Sequence, residues 1–201
     1  KYLDENGIWI FEMSYLIDML KLNSFDTICH EHLEYYSLTS LKYLMDKNDL
    51  KIFKVSKNNI NGGSIRCYVT HEDNKIYDNK VDLQYIENLL LAEKKIKIKE
   101  KKIYKKFLFN INKLKKKINL MITNIKRKDK NIYILGASTK GNTILQFLEI
   151  NKNIIPYAIE RNKEKIGAKT IGSNIEIISE NKAKLYFPDY KLVLPWHFKK
   201  E

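Results

Sequence analysis

The sequence predicts an α/β protein, and two observations support this fold class. Residues 130–201 alternate short apolar runs with helix-forming stretches, and a glycine-containing turn follows the first run. Residues 82–127 space apolar side chains three and four positions apart, which is typical of a long helix. We therefore expect three parts: residues 1–70 with short strands and helices, a helical connector over 71–129, and an α/β domain over 130–201.

The amino-terminal part has short apolar runs separated by turn-forming residues. Gly7 precedes the first run, and N-N-I-N-G-G at 58–63 separates the last two. The predicted elements are a strand at 8–11, helices near 15–21 and over 39–48, and strands at 51–55 and 64–69.

The central part carries a regular apolar seam, and lysines fill the other faces of the predicted helix. The seam consists of Tyr104, Phe107, Ile111, Leu114, Ile118, Met121 and Ile125. Such a seam favours either a helix that packs on its own protein or a helix that pairs with another in a dimer. The oligomeric state is open at this point.

The carboxy-terminal part has the element order of a nucleotide-binding βαβ unit. A strand at 131–135 leads into G-A-S-T-K-G-N-T at 136–143, a helix to about 149, and a strand at 154–162. A further strand is predicted at 191–196. The glycine spacing matches neither the dinucleotide fingerprint nor the P-loop.

The turn at 136–143 is a candidate anion site. Ser138, Thr139 and Lys140 lie where the predicted helix begins. Backbone N–H groups without intrahelical partners and the helix dipole favour a phosphate at such a position. The alternative is a tight turn between strand and helix with a lysine in solvent.

Composition narrows the function classes. The formal net charge is +13, but arginine contributes only three positions, Arg66, Arg127 and Arg161. Proteins that read bases and phosphates favour the bidentate arginine fork, so we do not expect nucleic-acid binding. A basic helical interaction protein acting through residues 82–127 is the weaker reading of this charge.

Other features bear on the compartment. No run of 18 apolar residues exists and no secretory leader is visible, so we expect neither a membrane span nor export. Cys29 and Cys67 predict free thiols in the cytoplasm rather than a disulfide framework or a zinc site. The chain begins at Lys1 in the middle of a pattern, and we expect a fragment or a processed chain.

A cluster of titratable side chains lies around I-C-H-E-H-L-E-Y-Y-S at 28–37. Imidazole and carboxylate groups in such density are suited to proton abstraction. If His30 and His32 lie on a strand, they share one face, but a third metal ligand is not evident, and we predict no metal site.

Four motifs together indicate a family. They are F-D-T-I-C-H-E-H-L-E-Y-Y-S-L at 25–38, N-G-G-S-I-R at 61–66, G-A-S-T-K-G-N-T at 136–143 and D-Y-K-L-V-L-P-W-H-F at 189–198. In this order they resemble the carboxy-terminal half of the S-adenosylmethionine-dependent sugar C-methyltransferases, which act on nucleotide-linked keto-deoxysugars. The resemblance covers essentially the whole chain.

The resemblance implies an architecture and a cofactor. Residues 130–201 would be a Rossmann-like domain that binds a nucleotide-diphosphate sugar, preceded by a long helix and by the tail of a class I methyltransferase domain. S-adenosylmethionine would bind mostly outside this chain, as would the zinc of a further amino-terminal module. We therefore expect the chain to be inactive alone.

The resemblance also implies residue roles. His32 matches the proposed general base, which removes the proton next to the ketone, and Glu31 matches a carboxylate that orients the substrate or the imidazole. The matching substrate contacts are Tyr15, Cys29, Arg66, Ser138, Thr139, Lys140, Asn142 and Glu160. Tyrosine is common at the position of Cys29, and histidine at the position of Asn61.

Structural roles compete with these assignments. His32 could be hydrogen-bonded at a helix start, and Arg66 could pair with a structural carboxylate. Tyr35, Tyr36, Trp196 and Phe198 are typical of packing. For the whole chain, the alternative function is a non-catalytic module that binds a nucleotide or a nucleotide sugar.

Overall fold

The chain forms two compact units in a computed structural model that describes residues 3–196, apart from the side chain of Asn61. The first unit comprises residues up to Ser24 together with Glu34–Phe107. The second comprises Phe25–Leu33 and the residues from Leu108 onward. The predicted three-part division stays a prediction, and the predicted packing role of Phe198 lies outside the described residues.

The first unit is built on an antiparallel sheet with the strand order β1-β3-β2. Its elements are β1 (Trp9–Ser14), α1 (Leu16–Leu22), α2 (Leu38–Asp46), β2 (Leu50–Asn58), β3 (Ser64–His71) and α3 (Lys80–Lys95). Alternate residues of the central strand, Ile65, Cys67 and Val69, are fully buried, as the period of two along a strand requires. Burial raises the pKa of the Cys67 thiol to about 12.

The predicted single helix over 82–127 is wrong, because a turn separates α3 from α4 (Lys101–Lys126). Lys97 adopts a left-handed conformation with φ 58°, and the Ile98 N–H donates to the carbonyl of Glu93, which ends α3. Burial of the Ile98 side chain stabilises the turn. Glycine is the usual residue at such a helix end. Because lysine occupies the position here, the sequence does not indicate that α3 ends.

The seam of α4 follows the helical period of 3.6 rather than a strict heptad. Ile118, Ile122 and Ile125 pack against the core of the second unit. Three other seam members, Tyr104, Leu114 and Met121, are exposed. These contacts favour the interpretation that the helix packs on its own protein.

The second unit contains a parallel sheet with the order β6-β5-β4-β7, which confirms the predicted α/β fold. Its further elements are β4 (Ile132–Leu135), α5 (Thr139–Leu148), β5 (Tyr157–Glu160), β6 (Glu176–Ser179), α6 (Glu180–Tyr186) and β7 (Tyr190–Val193). The sequence pattern did not identify β6 or α6. The residues with zero exposure in the core of this unit are Ile134, Leu145, Ile155, Ala158 and Ile175.

A topological switch point lies between β4 and β7. The chain leaves β4 toward β5 and β6 on one side of the sheet and returns to β7 on the other side of β4. Ligands of open α/β sheets bind outside the carboxyl ends of strands at such a point. Gly136, just after β4, has φ +91°, and a Cβ there would lie 3.0 Å from Cδ of Pro195, just after β7.

Among the described residues, we find no helix with both the length and the apolar character that crossing a membrane demands.

Candidate active site

The segment that carries the titratable cluster packs within the second unit, at the switch point. The rings of Phe25 and Phe147, on α5, have centroids 4.6 Å apart. The indole N–H of Trp196 donates to Oδ2 of Asp26 over 3.1 Å. These two contacts attach one end of the segment to α5 and to the residues that follow β7.

The same segment reaches the start of α5. The Thr139 hydroxyl donates to Oε1 of Glu31 over 3.2 Å. Thr139 is the first residue of α5, so the carboxylate lies where the helix dipole favours negative charge. The structure thus brings together Glu31 and the turn at 136–143, which lie more than a hundred positions apart in the sequence.

The residues around His32 form a turn, so the strand arrangement considered for His30 and His32 does not occur. The Cys29 N–H donates to the carbonyl of Thr27 over 3.1 Å, and the His32 N–H donates to that of Cys29 over 3.0 Å. His30 is exposed, while Cys29 and His32 are half-buried. The chain direction changes here because these short-range bonds replace a strand ladder.

The start of α5 has the geometry of a capped helix. Ser138 is the extended N-cap, and its hydroxyl accepts from the Gly141 N–H over 3.1 Å. Lys140 and Asn142 follow in the first turns and are half-buried. A Cβ on Gly141 would lie 3.0 Å from Cδ1 of Leu194, so glycine permits the close approach of α5 to the end of β7.

Glu160 holds the turn after β4 in place. One carboxylate oxygen accepts from the Ala137 N–H over 2.9 Å, and the other accepts from the N–H groups of Arg161 and Asn162 at 2.8 and 3.2 Å. Partial burial alone would raise the pKa of this carboxyl, but these N–H groups and the Lys165 cation together lower it. Both oxygens of Glu160 thus already accept backbone hydrogen bonds. Its role as a substrate contact stays a prediction.

This lowered pKa predicts a pH-dependent stability. The folded carboxyl titrates below its ordinary value of 4.5, so its contribution is present above that pH and is lost as the pH falls through the folded pKa. We expect Glu160→Gln to unfold at lower denaturant concentration than wild type at pH 7, and the difference to shrink below about pH 4.5. Denaturant titrations from pH 3 to 7 measure this, and the exposed neighbour Glu164→Gln is the control. A difference that is constant with pH would contradict the prediction.

Tyr15 and Arg66 lie in the first unit and have partners there. The Tyr15 hydroxyl donates to Oε1 of Glu93 over 2.7 Å, and burial followed by this contact raises the pKa of Tyr15. Arg66 on β3 forms an ion pair at 2.7 Å with Glu12, which is the residue directly opposite it on β1. The structural alternative weighed for Arg66 is therefore observed, and the substrate roles of both residues stay predictions.

Sequence reasoning missed Glu93, whose carboxylate is fully buried in the first unit. Besides Tyr15, the backbone N–H of Leu38 donates to it over 2.7 Å, and the N–H and hydroxyl of Thr39 donate over 2.8 and 2.5 Å. Glu93 thus satisfies the start of α2 from another helix. A signal was present, because Glu93 follows the buried Ile86 by seven positions, on the apolar face of α3.

Among the described residues, no group of three or more histidine, cysteine, aspartate or glutamate side chains is arranged to hold a metal ion. Cys29 and Cys67 are free thiols.

Comparison with known proteins agrees with the motif resemblance. The family model for the C-methyltransferase C-terminal domain matches residues 59–201. The C-methyltransferase NovU of Streptomyces niveus is 31% identical over 199 residues, which are 99% of this chain. Those residues are 46% of NovU, so the chain spans about half the length of this relative. These matches favour an enzyme over a non-catalytic binding module.

Proposed function

Because this chain belongs to the C-methyltransferase family, we propose that it forms the substrate-binding half of an S-adenosylmethionine-dependent enzyme. The substrate in this proposal is a nucleotide-linked keto-deoxysugar, and the methyl group is added to the carbon next to the ketone. The reaction takes place in the cytoplasm, in keeping with the free thiols Cys29 and Cys67.

The hydrogen bond between Thr139 and Glu31 carries the proposal. It joins the segment with the candidate base to the start of α5, at the switch point where ligands of parallel sheets bind. A base and a phosphate-binding turn on the same edge of one sheet suit a substrate with a reactive sugar at one end and a diphosphate at the other.

The chemistry proposed for this chain is a proton transfer. A nitrogen of neutral His32 takes the proton from the carbon next to the ketone, and the electron pair of that bond moves toward the carbonyl oxygen to give an enolate. Imidazole suits this step because its ordinary pKa is close to neutrality. Glu31, one residue earlier, orients the imidazole or the sugar. The enolate carbon is the atom that is methylated.

The βαβ unit of the second unit does not fit the methyl donor. In nucleotide-binding βαβ units the acidic residue after the second strand binds a ribose hydroxyl. The corresponding residue here is Glu160, and its two oxygens already accept three backbone N–H groups. The donor site is therefore assigned to residues outside this unit, as is any zinc, and only the proton transfer is derived from this chain.

We place the diphosphate of the substrate at Ser138, Thr139, Lys140 and Asn142. These residues open α5, where the dipole and N–H groups attract an anion. Lys140 directly follows Thr139, which contacts Glu31, and adds a full positive charge to the first turn of α5.

Calorimetric titration with thymidine diphosphate tests this placement in a methyltransferase that contains the chain. We expect Lys140→Ala to weaken binding by about tenfold, which is about 1.4 kcal/mol. Lys152→Ala is the matched control, since Lys152 is an exposed lysine beyond the end of α5 and should bind as wild type does. Equal affinities of the two variants would mean that the diphosphate binds elsewhere.

A further inference from the structure

Asp26 has a buried carboxylate, and the proposed reaction assigns no role to it. Its residue is 2% exposed and lies in the short 3₁₀ turn Phe25–Thr27, six positions before His32. Burial of a carboxylate is costly unless donors compensate for the lost water. The Trp196 indole N–H is such a donor, at 3.1 Å from Oδ2.

Trp196 is itself held by the strands that form the switch point. The N–H of Leu194 donates to the carbonyl of Leu135, the last residue of β4, over 3.2 Å. The N–H of Trp196 then donates to the carbonyl of Leu194 over 2.8 Å, and the Leu194 side chain is buried. The backbone that carries the indole is therefore attached to the central sheet.

Short-range bonds carry this position from Asp26 to the candidate base. The N–H groups of Ile28, Cys29 and His32 donate to carbonyls two or three positions earlier in the chain, at 2.9, 3.1 and 3.0 Å. The turn that they form leaves little freedom between its first and last residues. We therefore expect a displacement at Asp26 to shift the backbone of His32.

We propose that the hydrogen bond from Trp196 to Asp26 positions the turn that bears Glu31 and His32 against the start of α5. This inference rests on the proposed function. Neither residue touches the reacting atoms, and both act through the turn. Misplacement of a catalytic group by about 1 Å costs up to about a hundredfold in rate, so one hydrogen bond is sufficient for a large effect.

The test compares Trp196→Phe with Ile177→Val in a methyltransferase that contains this chain. Phenylalanine keeps an aromatic ring but removes the indole N–H, whereas Ile177 lies buried on β6 and away from the segment. We expect Trp196→Phe to lower kcat for a thymidine-diphosphate keto-sugar about tenfold or more, with KM changed much less. Ile177→Val should lose stability without losing kcat.

A second readout does not depend on turnover. Hydrogen exchange of the Cys29 and His32 amides should accelerate in Trp196→Phe while exchange in β4 and β5 stays as in wild type. Asp26→Asn, which keeps the shape but not the charge, should accelerate the same amides. If Trp196→Phe leaves both kcat and these exchange rates unchanged, the positioning role is rejected.

The two proposals fail in different ways. If wild type transfers no methyl group to the keto-sugar, the proposed function is rejected, and the exchange rates alone decide the positioning role. If His32→Ala abolishes transfer while Trp196→Phe changes neither readout, the function stands and the positioning role is rejected.

Discussion

Replacement of His32 by alanine is expected to lower the rate of methyl transfer by about 10²- to 10⁴-fold, the usual contribution of a general base. The imidazole is half-buried in a turn beside Glu31, which contacts the start of α5. The measurement is kcat in a methyltransferase that contains this chain, with a thymidine-diphosphate keto-sugar and the methyl donor.

His30→Ala is the matched control, because His30 is exposed, lies two positions earlier and should retain wild-type kcat. The proton step can also be isolated without the donor, by following exchange of the substrate proton into deuterium oxide. We expect His32→Ala to abolish that exchange while the melting temperature stays within a few degrees of wild type. Equal activity of the two variants would remove His32 from the mechanism.

Replacement of Glu93 by alanine is expected to lower the free energy of unfolding by about 3–5 kcal/mol, because several donors lose their shared buried acceptor. The change leaves buried donors of Tyr15, Leu38 and Thr39 without their acceptor. Each unsatisfied buried group costs about 1–3 kcal/mol, and the created cavity adds to that loss.

Glu87→Ala provides the control, because Glu87 is an exposed glutamate on the same helix and should change stability by less than about 0.5 kcal/mol. Denaturant unfolding of both variants, followed by circular dichroism, gives the comparison. A loss below 1 kcal/mol for Glu93→Ala would show that α2 and Tyr15 find other partners.

Local patterns in the sequence predicted most of the strands and helices. Alternating burial along β3 and the apolar runs of β4 and β5 follow from periods that need no partner to be recognised. The break between α3 and α4 was not predictable in this way, because Lys97 takes a conformation that glycine usually marks. Burial of the Ile98 side chain offsets the cost of that conformation, and this burial depends on the packed structure.

The candidate site shows the same division. The sequence shows both the motif around Glu31 and His32 and the turn at 136–143. Together with the other motifs, they identified the family. The sequence did not predict their proximity, since it is the fold of the second unit that brings Thr139 to Glu31. The arginine side chain at 66 likewise gained a definite partner, Glu12, only through the register of β1 and β3.

The sequence by itself determined the α/β class, the family and the residue types available for proton transfer, because periodicity, composition and motif order are local properties of the chain. Tertiary structure alone decided that Glu160 holds a turn, that Glu93 caps a distant helix, and that Asp26 meets Trp196. The physical reason is that a polar group buried by folding must find whichever donor or acceptor the fold brings to it, and sequence spacing does not specify that partner.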